Sequence, residues 1–211
     1  LLLRERAEAG SAARLLFMDT SISYALVDFV SRWEGYAAEW YADSVGEMTI
    51  GHGVTQAGLQ HIGMRVDDVP VPLHRSQAKV MLRTLLTEHY APAVASIVER
   101  PLRPRQYEAL TSWAYNLGAR RLAGQELHAA IEAGDGEGIA TQWMRWVHAG
   151  GERVRGLVRR RRAELDWWQG AADDATGRGY EPVDVPSIEP APTADPVELS
   201  VPSDFTPDLP Q

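Results

Sequence analysis

Two acidic side chains and a hydroxyl lie close together near the start of the chain: Glu34, then eight residues, Asp43, then five, Thr49. Two carboxyl groups held apart at a fixed separation are what acid-assisted cleavage of a sugar linkage requires. One protonates the leaving oxygen, and the other steers water or steadies the developing cation. Trp33, Tyr36 and Trp40 surround Glu34 in sequence and can shield it from water. A helix ending at Glu34 would also set its carboxyl against the negative end of the helix dipole, and both influences favour the protonated acid. Taken singly, each residue has an ordinary explanation. Glu34 could be a helix-end residue paired with an arginine, Asp43 the start of a turn, and Thr49 a β-branched strand residue.

The remaining chemistry-bearing types narrow the field. The 211 residues include no cysteine, which excludes thiol catalysis and thiolate metal sites. The six histidines, His52, His61, His74, His89, His128 and His148, include no pair at the i, i+4 spacing of a helical zinc motif. Neither a metal nor an organic cofactor is expected. Gly51 and Gly53 flank His52 after Thr49, and glycines there allow a tight turn or close backbone approach to a ligand. His52 reads as a packed side chain rather than a cleft residue. Asn116, near the end of an apolar stretch, either contacts a ligand or caps a helix before Gly118.

These residues need elements to position them. Ile22, Leu26, Phe29, Val30 and Trp33 recur at helical spacing behind Asp19, Thr20 and Ser21, predicting a helix over about 21–33. Short extended pieces follow, Trp40-Tyr41 and Met48-Thr49-Ile50, broken by glycines, as in a small β-hairpin region. From Ser76 the pattern is helical, with Val80, Met81, Leu85, Leu86, Tyr90, Val94, Ile97 and Val98 on one face and Pro92 interrupting it. Further helices are predicted over 105–117, 125–132, 137–147 and 156–168. Trp143, Trp146, Trp167 and Trp168 read as core.

The formal charge is -8. Residues 171–211 carry nine acidic residues against one arginine, so residues 1–170 are balanced, and eight of the 13 prolines also fall in that tail. Such a composition buries too little apolar surface to fold, and a disordered tail is expected. Met18 resembles a translation start, which makes 1–17 an extension and 18–170 the folded domain. No apolar run is long enough to span a bilayer, so stable membrane insertion is not expected. Arg159 to Arg162 point in different directions around a helix and lack interleaved aromatics, so they indicate a solvated or salt-bridged face rather than nucleic-acid binding.

Glu34, Asp43 and Thr49, followed by Ile50-Gly51-His52-Gly53-Val54-Thr55, resemble the catalytic segment of phage-type lysozymes, the muramidases of glycoside hydrolase family 24. The resemblance continues through Gln106 to Gly118, including Asn116, and through Gly150-Gly151, Gly156 to Arg160 and Glu164. It implies an α+β, mostly α, lysozyme-like fold, with a small N-terminal β-lobe, a long connecting helix and a helical C-terminal lobe flanking a cleft. It further implies a monomeric endolysin cutting the β-1,4 bond between N-acetylmuramic acid and N-acetylglucosamine. Glu34 would be the general acid, Asp43 the opposing carboxylate, and Thr49 a hydroxyl placing water while donating to Asp43. Gly51, His52, Gly53 and Asn116 are the candidate glycan contacts, and Arg160 could pair with an acidic cleft residue. Peptidoglycan strands would be the partner, reached from the host cytoplasm after membrane release. A non-catalytic wall-binding or virion module, a lytic transglycosylase and an interbacterial muramidase toxin are the alternatives. The chain departs from the family pattern at Val54, where relatives often have histidine, and at Arg155, where they often have proline.

Overall fold

The computed structural model describes residues 22–43 and 46–170. The expectations for residues 1–17 and for the acidic tail lie outside the described residues. Helix α1 (Tyr24–Glu34) begins at Ser23, whose Oγ accepts the Leu26 N–H at 3.1 Å. The capping residue is therefore Ser23, later than Asp19, Thr20 or Ser21. Gly35, at φ 70°, stops the helix directly after Glu34. Three antiparallel strands follow: β1 (Ala37–Ala42), β2 (Met48–Gly51) and β3 (Val54–Thr55), in the order β1-β2-β3. Tyr41 opposes Thr49, and Thr49 opposes Thr55. Thr55 then caps the short helix α2 (Gln56–His61).

The connecting helix is not continuous. It runs as α3 (Arg75–Leu85), a π-helical turn (Leu86–Tyr90) and α4 (Ala91–Ile97). Pro92 has no N–H to donate, and its ring crowds the carbonyl four residues back. The wider π turn accommodates this, with the Ala91 N–H reaching back to the Leu86 carbonyl. The rotation of the face also differs from the sequence pattern. Val80 is 65% exposed, whereas Ala78 and Leu82 are buried in its place.

Helix α5 (Pro104–Leu117) forms the centre of the helical lobe, with Leu110, Trp113 and Ala114 fully buried. Around it lie α6 (Glu126–Ala133), α7 (Gly136–Trp143) and α8 (Arg155–Gln169). The helix expected to run to Val147 stops at Trp143, and a small hairpin, β4 (His148–Ala149) with β5 (Glu152–Arg153), follows. Trp143 and Trp168 are buried, and Trp146 and Trp167 pack against the same core. A second, smaller core lies under the sheet, built from Ile50, Val54, Leu59, Leu73, Met81 and Leu85. Tyr90 and Tyr115 pack against both cores, so the rings mark the seam between sheet and helices. Among the described residues no helix is long and apolar enough to cross a membrane.

Candidate active site

Glu34 emerges at this seam. Its side chain is 18% exposed, and Oε1 accepts from Arg160 Nη1 at 2.5 Å. The cation comes from α8, 126 residues away, and is itself buried. Arg160 also donates from Nε to Glu164 Oε1 at 3.2 Å and from Nη2 to the Ser112 carbonyl at 3.4 Å. Burial alone pulls the guanidinium down, but the Glu34 and Glu164 carboxylates outweigh it and raise it above its ordinary range.

Glu164 is fully buried and heavily satisfied. Its Oε1 accepts from Ser112 Oγ at 2.8 Å and from Arg161 Nη2 at 2.9 Å, and its Oε2 accepts from the Trp143 indole at 3.2 Å. Arg161 Nε lies 2.8 Å from Oε2, an ion-pair distance without hydrogen-bond alignment. Arg161 is pulled down to about 10 chiefly by burial, with Glu164 opposing. Of the four consecutive arginines, Arg160 and Arg161 point inward and Arg159 and Arg162 outward. The helical period sets this division. Glu164, at i+4 from one inward arginine and i+3 from the other, is the sequence signal that marks them.

The sheet supplies the other half of the site. Asp43 closes the loop after β1, where its Oδ1 accepts the Glu47 N–H at 2.8 Å and its backbone pairs with Glu47 and Gly46. Thr49 is buried on β2, and its hydroxyl donates to the Glu47 carbonyl at 3.2 Å rather than to Asp43. Tyr41, 44% exposed, pairs in register with Thr49. Its phenol is raised by burial, then by Asp43 and by Glu34. Tyr90 is pushed up to about 12 by burial and by Glu34 and Glu47, and Tyr115 is also raised, by burial first and Glu34 second. Both phenols therefore stay neutral, acting as hydrogen-bonding groups and not as bases. The sequence reading missed this trio, because only Tyr41 lies close to the carboxylates in sequence and Tyr90 and Tyr115 come from distant helical segments.

Gly53, at φ 81°, is held against the acid. A Cβ built there would lie 3.3 Å from Glu34 Oε2 and 3.5 Å from the Tyr115 hydroxyl. That hydroxyl donates to the His52 carbonyl at 2.8 Å, tying α5 to the loop beside Glu34. Gly51 faces the other way. Its Cβ would press on Leu73 and Ala78, so the structure uses it to seat the sheet on α3. His52 is buried, with Nδ1 against the Gly35 carbonyl and its ring near Tyr36, and burial lowers its basicity. Asn116 gives its carbonyl oxygen to Arg161 Nη2 at 3.0 Å. Glu34 and Gly53 thus meet at the seam, Asp43 sits on the loop after β1 and Thr49 on the sheet, and Gly51, His52 and Asn116 are engaged in packing and hydrogen bonds of the scaffold. Val54, completely buried, sits in the core under the sheet.

Comparison with known proteins shows the family and the fold. Residues 31–164 match the family model described as phage lysozyme. The endolysin of Bacillus phage B103 is 29% identical over 146 residues, covering 68% of this chain and 52% of that protein, so the chain spans about half its length. The SAR-endolysin of Escherichia phage Mu is 31% identical over 135 residues, covering 64% of this chain and 73% of that one. Among solved structures, a P22 lysozyme aligns with a TM-score of 0.60 and 26% identity, covering 71% of this chain and 98% of that chain.

Proposed function

This chain belongs to the phage lysozyme family, and from that premise we propose that it is an endolysin-type muramidase, hydrolysing the β-1,4 bond between N-acetylmuramic acid and N-acetylglucosamine in peptidoglycan. The observation that carries this reading is the division of labour between the two oxygens of Glu34. Oε1 is engaged by Arg160, while Oε2 lies beside Gly53, where the absence of a side chain keeps the approach open. Oε2 is thus the oxygen left open to take up a proton and deliver it to the glycosidic oxygen as the C–O bond breaks. Asp43, its Oδ1 held by the Glu47 N–H, is the carboxylate that steadies the positive charge developing on the sugar or activates water. The Thr49 hydroxyl has spent its proton on the Glu47 carbonyl, which leaves its lone pairs to accept from that water. Tyr41, 44% exposed and paired in register with Thr49, offers a flat face to a sugar ring.

The chain works as a monomer, is held in the host cytoplasm until the membrane is breached, and then acts on the periplasmic wall. Clearing of outer-membrane-permeabilised Gram-negative cells tests the chemistry. The wild-type chain lowers turbidity, and Glu34→Gln slows it by about 10²-fold or more, the scale of a lost general acid. Mass spectrometry of the released fragments finds reducing muramic acid ends. Equal clearing by both proteins, clearing by neither, or anhydro ends would each sink the assignment.

A further inference from the structure

The two-residue turn between β2 and β3 is His52-Gly53, and both residues bear on Glu34. Gly53 lies against the side chain, where a Cβ would stand 3.3 Å from Oε2 and 3.8 Å from the Glu34 Cβ. The His52 ring turns inward, 3% exposed, and its Nδ1 meets the carbonyl of Gly35, which directly follows the acid. A carbonyl oxygen can only accept, so Nδ1 carries the hydrogen and donates it. Nε2 is buried and finds no hydrogen-bond partner among the described residues, so a lone pair and not a second N–H belongs there. Burial disfavours the imidazolium most, and with Lys79 and Arg75 of α3 it outweighs the Gly35 carbonyl and Glu34, which favour it. The ring is therefore neutral at pH 7, with its hydrogen on Nδ1. Tyr36 packs with its centroid 5.6 Å from the imidazole, and is itself fixed by the Leu73 carbonyl and by Arg75 over its face at 4.1 Å.

The backbone of His52 is held as well, its carbonyl accepting from the Tyr115 hydroxyl at 2.8 Å. One residue thus joins the end of α1 to α5 by way of the sheet. Its burial closes it to a glycan, so its effect on the reaction passes through what it holds. That is the stem of the acid. Glu34 is the last residue of α1, and Gly35 ends the helix. The last carbonyls of a helix have no partner within it, and such ends fray. Arg160 fixes Oε1 at the far end of the side chain. For Oε2 to keep its place beside Gly53, the backbone at the near end must be fixed too. We propose that His52 is a positioning residue for the general acid: its Nδ1–H clamps the Gly35 carbonyl and so holds the backbone from which Glu34 extends. This inference rests on the muramidase reading above.

Three variants separate the donor's position from the ring's bulk. The amide nitrogen of asparagine can take the place of Nδ1, that of glutamine the place of Nε2, and leucine fills the space with no donor. Reducing ends released from purified sacculi at pH 7 give kcat and KM, and thermal melts followed by circular dichroism give Tm. His52→Leu and His52→Gln lower kcat about tenfold or more with KM within about twofold of wild type, the scale of a displaced catalytic group. His52→Asn restores most of kcat even though its smaller side chain lowers Tm at least as much as leucine does. Nitrogen-15 NMR of the wild-type chain at pH 7 finds His52 protonated on Nδ1 and bare on Nε2, whether or not any variant folds. An unchanged kcat in His52→Leu, losses that track Tm instead of donor position, a rise in KM alone, or hydrogen on Nε2 would each overturn the proposal. In those cases an active wild type leaves the muramidase reading standing. A folded wild-type chain that releases no reducing ends removes that reading and this proposal together.

Discussion

Replacing Arg160 by methionine tests the central claim about the site, that the acid is positioned from the helical lobe. Methionine fills similar space but offers no donor, so three contacts go: Glu34 at 2.5 Å, Glu164 at 3.2 Å and the Ser112 carbonyl at 3.4 Å. The two carboxylates do not suffer equally. Glu164 keeps Ser112, Trp143 and Arg161, whereas Glu34, with only 18% of its side chain exposed, loses the cation that balances it. Removing one partner of a buried pair costs about 3–5 kcal/mol, and the surviving contacts of Glu164 place this case at about 3 kcal/mol. For a folded unit of this size each kcal/mol lowers Tm by about 2–4 °C, giving a drop of about 6–12 °C. Urea and thermal unfolding followed by circular dichroism at pH 7 measure both quantities. The decisive comparison repeats the substitution in a Glu34→Gln background, where no anion is left stranded. There the penalty falls by about 1.5 kcal/mol, the coupling expected of contacting charges. A penalty below about 1 kcal/mol, or one identical in the two backgrounds, refutes the reasoning.

Two further outcomes follow from the same geometry. Gly53→Ala forces an L residue into φ 81° at a cost of about 1–2 kcal/mol and pushes a methyl group to 3.3 Å from Glu34 Oε2. Lytic activity drops about tenfold or more while the far-ultraviolet spectrum is retained, and full activity in a folded variant would contradict the role given to Oε2. His89 stacks on His61 with centroids 3.7 Å apart, and burial, with His61 second, pushes it down to about 4. Between that value and the ordinary 6.5 the unfolded chain binds more protons than the folded one, so stability falls as pH drops from about 6.5 to 4. His89→Gln flattens this slope in melts recorded from pH 7 to 4.5; a slope parallel to wild type would refute it.

Much of the fold was legible because its signals are local. Apolar spacing located α1, α5 and α8 to within a few residues, and Gly35 after Glu34 placed the acid at a helix end. Less was legible where two local rules compete. Pro92 announced an interruption, but the chain absorbs it upstream as a π turn at Leu86–Tyr90, a shift in bonding register that has no signature in side-chain type. Val80 matched the apolar period yet lies exposed, because the buried stripe is set by what α3 packs on, namely the sheet on one side and α1 on the other. The segment expected to remain helical up to Val147 instead ends its helix at Trp143, and glycines 150 and 151, both at positive φ, turn the β4–β5 hairpin. In the candidate site, spacing alone left Glu34, Asp43 and Thr49 with ordinary explanations and the resemblance singled them out, whereas the partner of the Thr49 hydroxyl was not legible. Asp43 and Glu47 bond to each other across the loop, and Thr49 takes the carbonyl this leaves nearby.

The buried charges explain why residues outside the cleft bear on it. Glu34, Arg160, Glu164 and Arg161 form an alternating row of two anions and two cations across α1 and α8, with no net charge. Neutrality makes burial tolerable, but it also means that no member can move without stranding another. Ser112 and Trp143 pin Glu164 from α5 and α7, and Asn116 ends the row by accepting from Arg161. The acid is thus referenced to the packed helical core, whereas Asp43 and Thr49 are referenced to the sheet. The muramidase mechanism proposed above requires those two frames to keep a fixed relation. The Tyr115 hydroxyl, bonded to the His52 carbonyl and packed with Tyr90 against both cores, is the link that crosses between them. On this argument Asn116 influences the chemistry through Arg161 rather than through the glycan. Its replacement should therefore affect the alignment of Glu34 before it affects affinity for sugar.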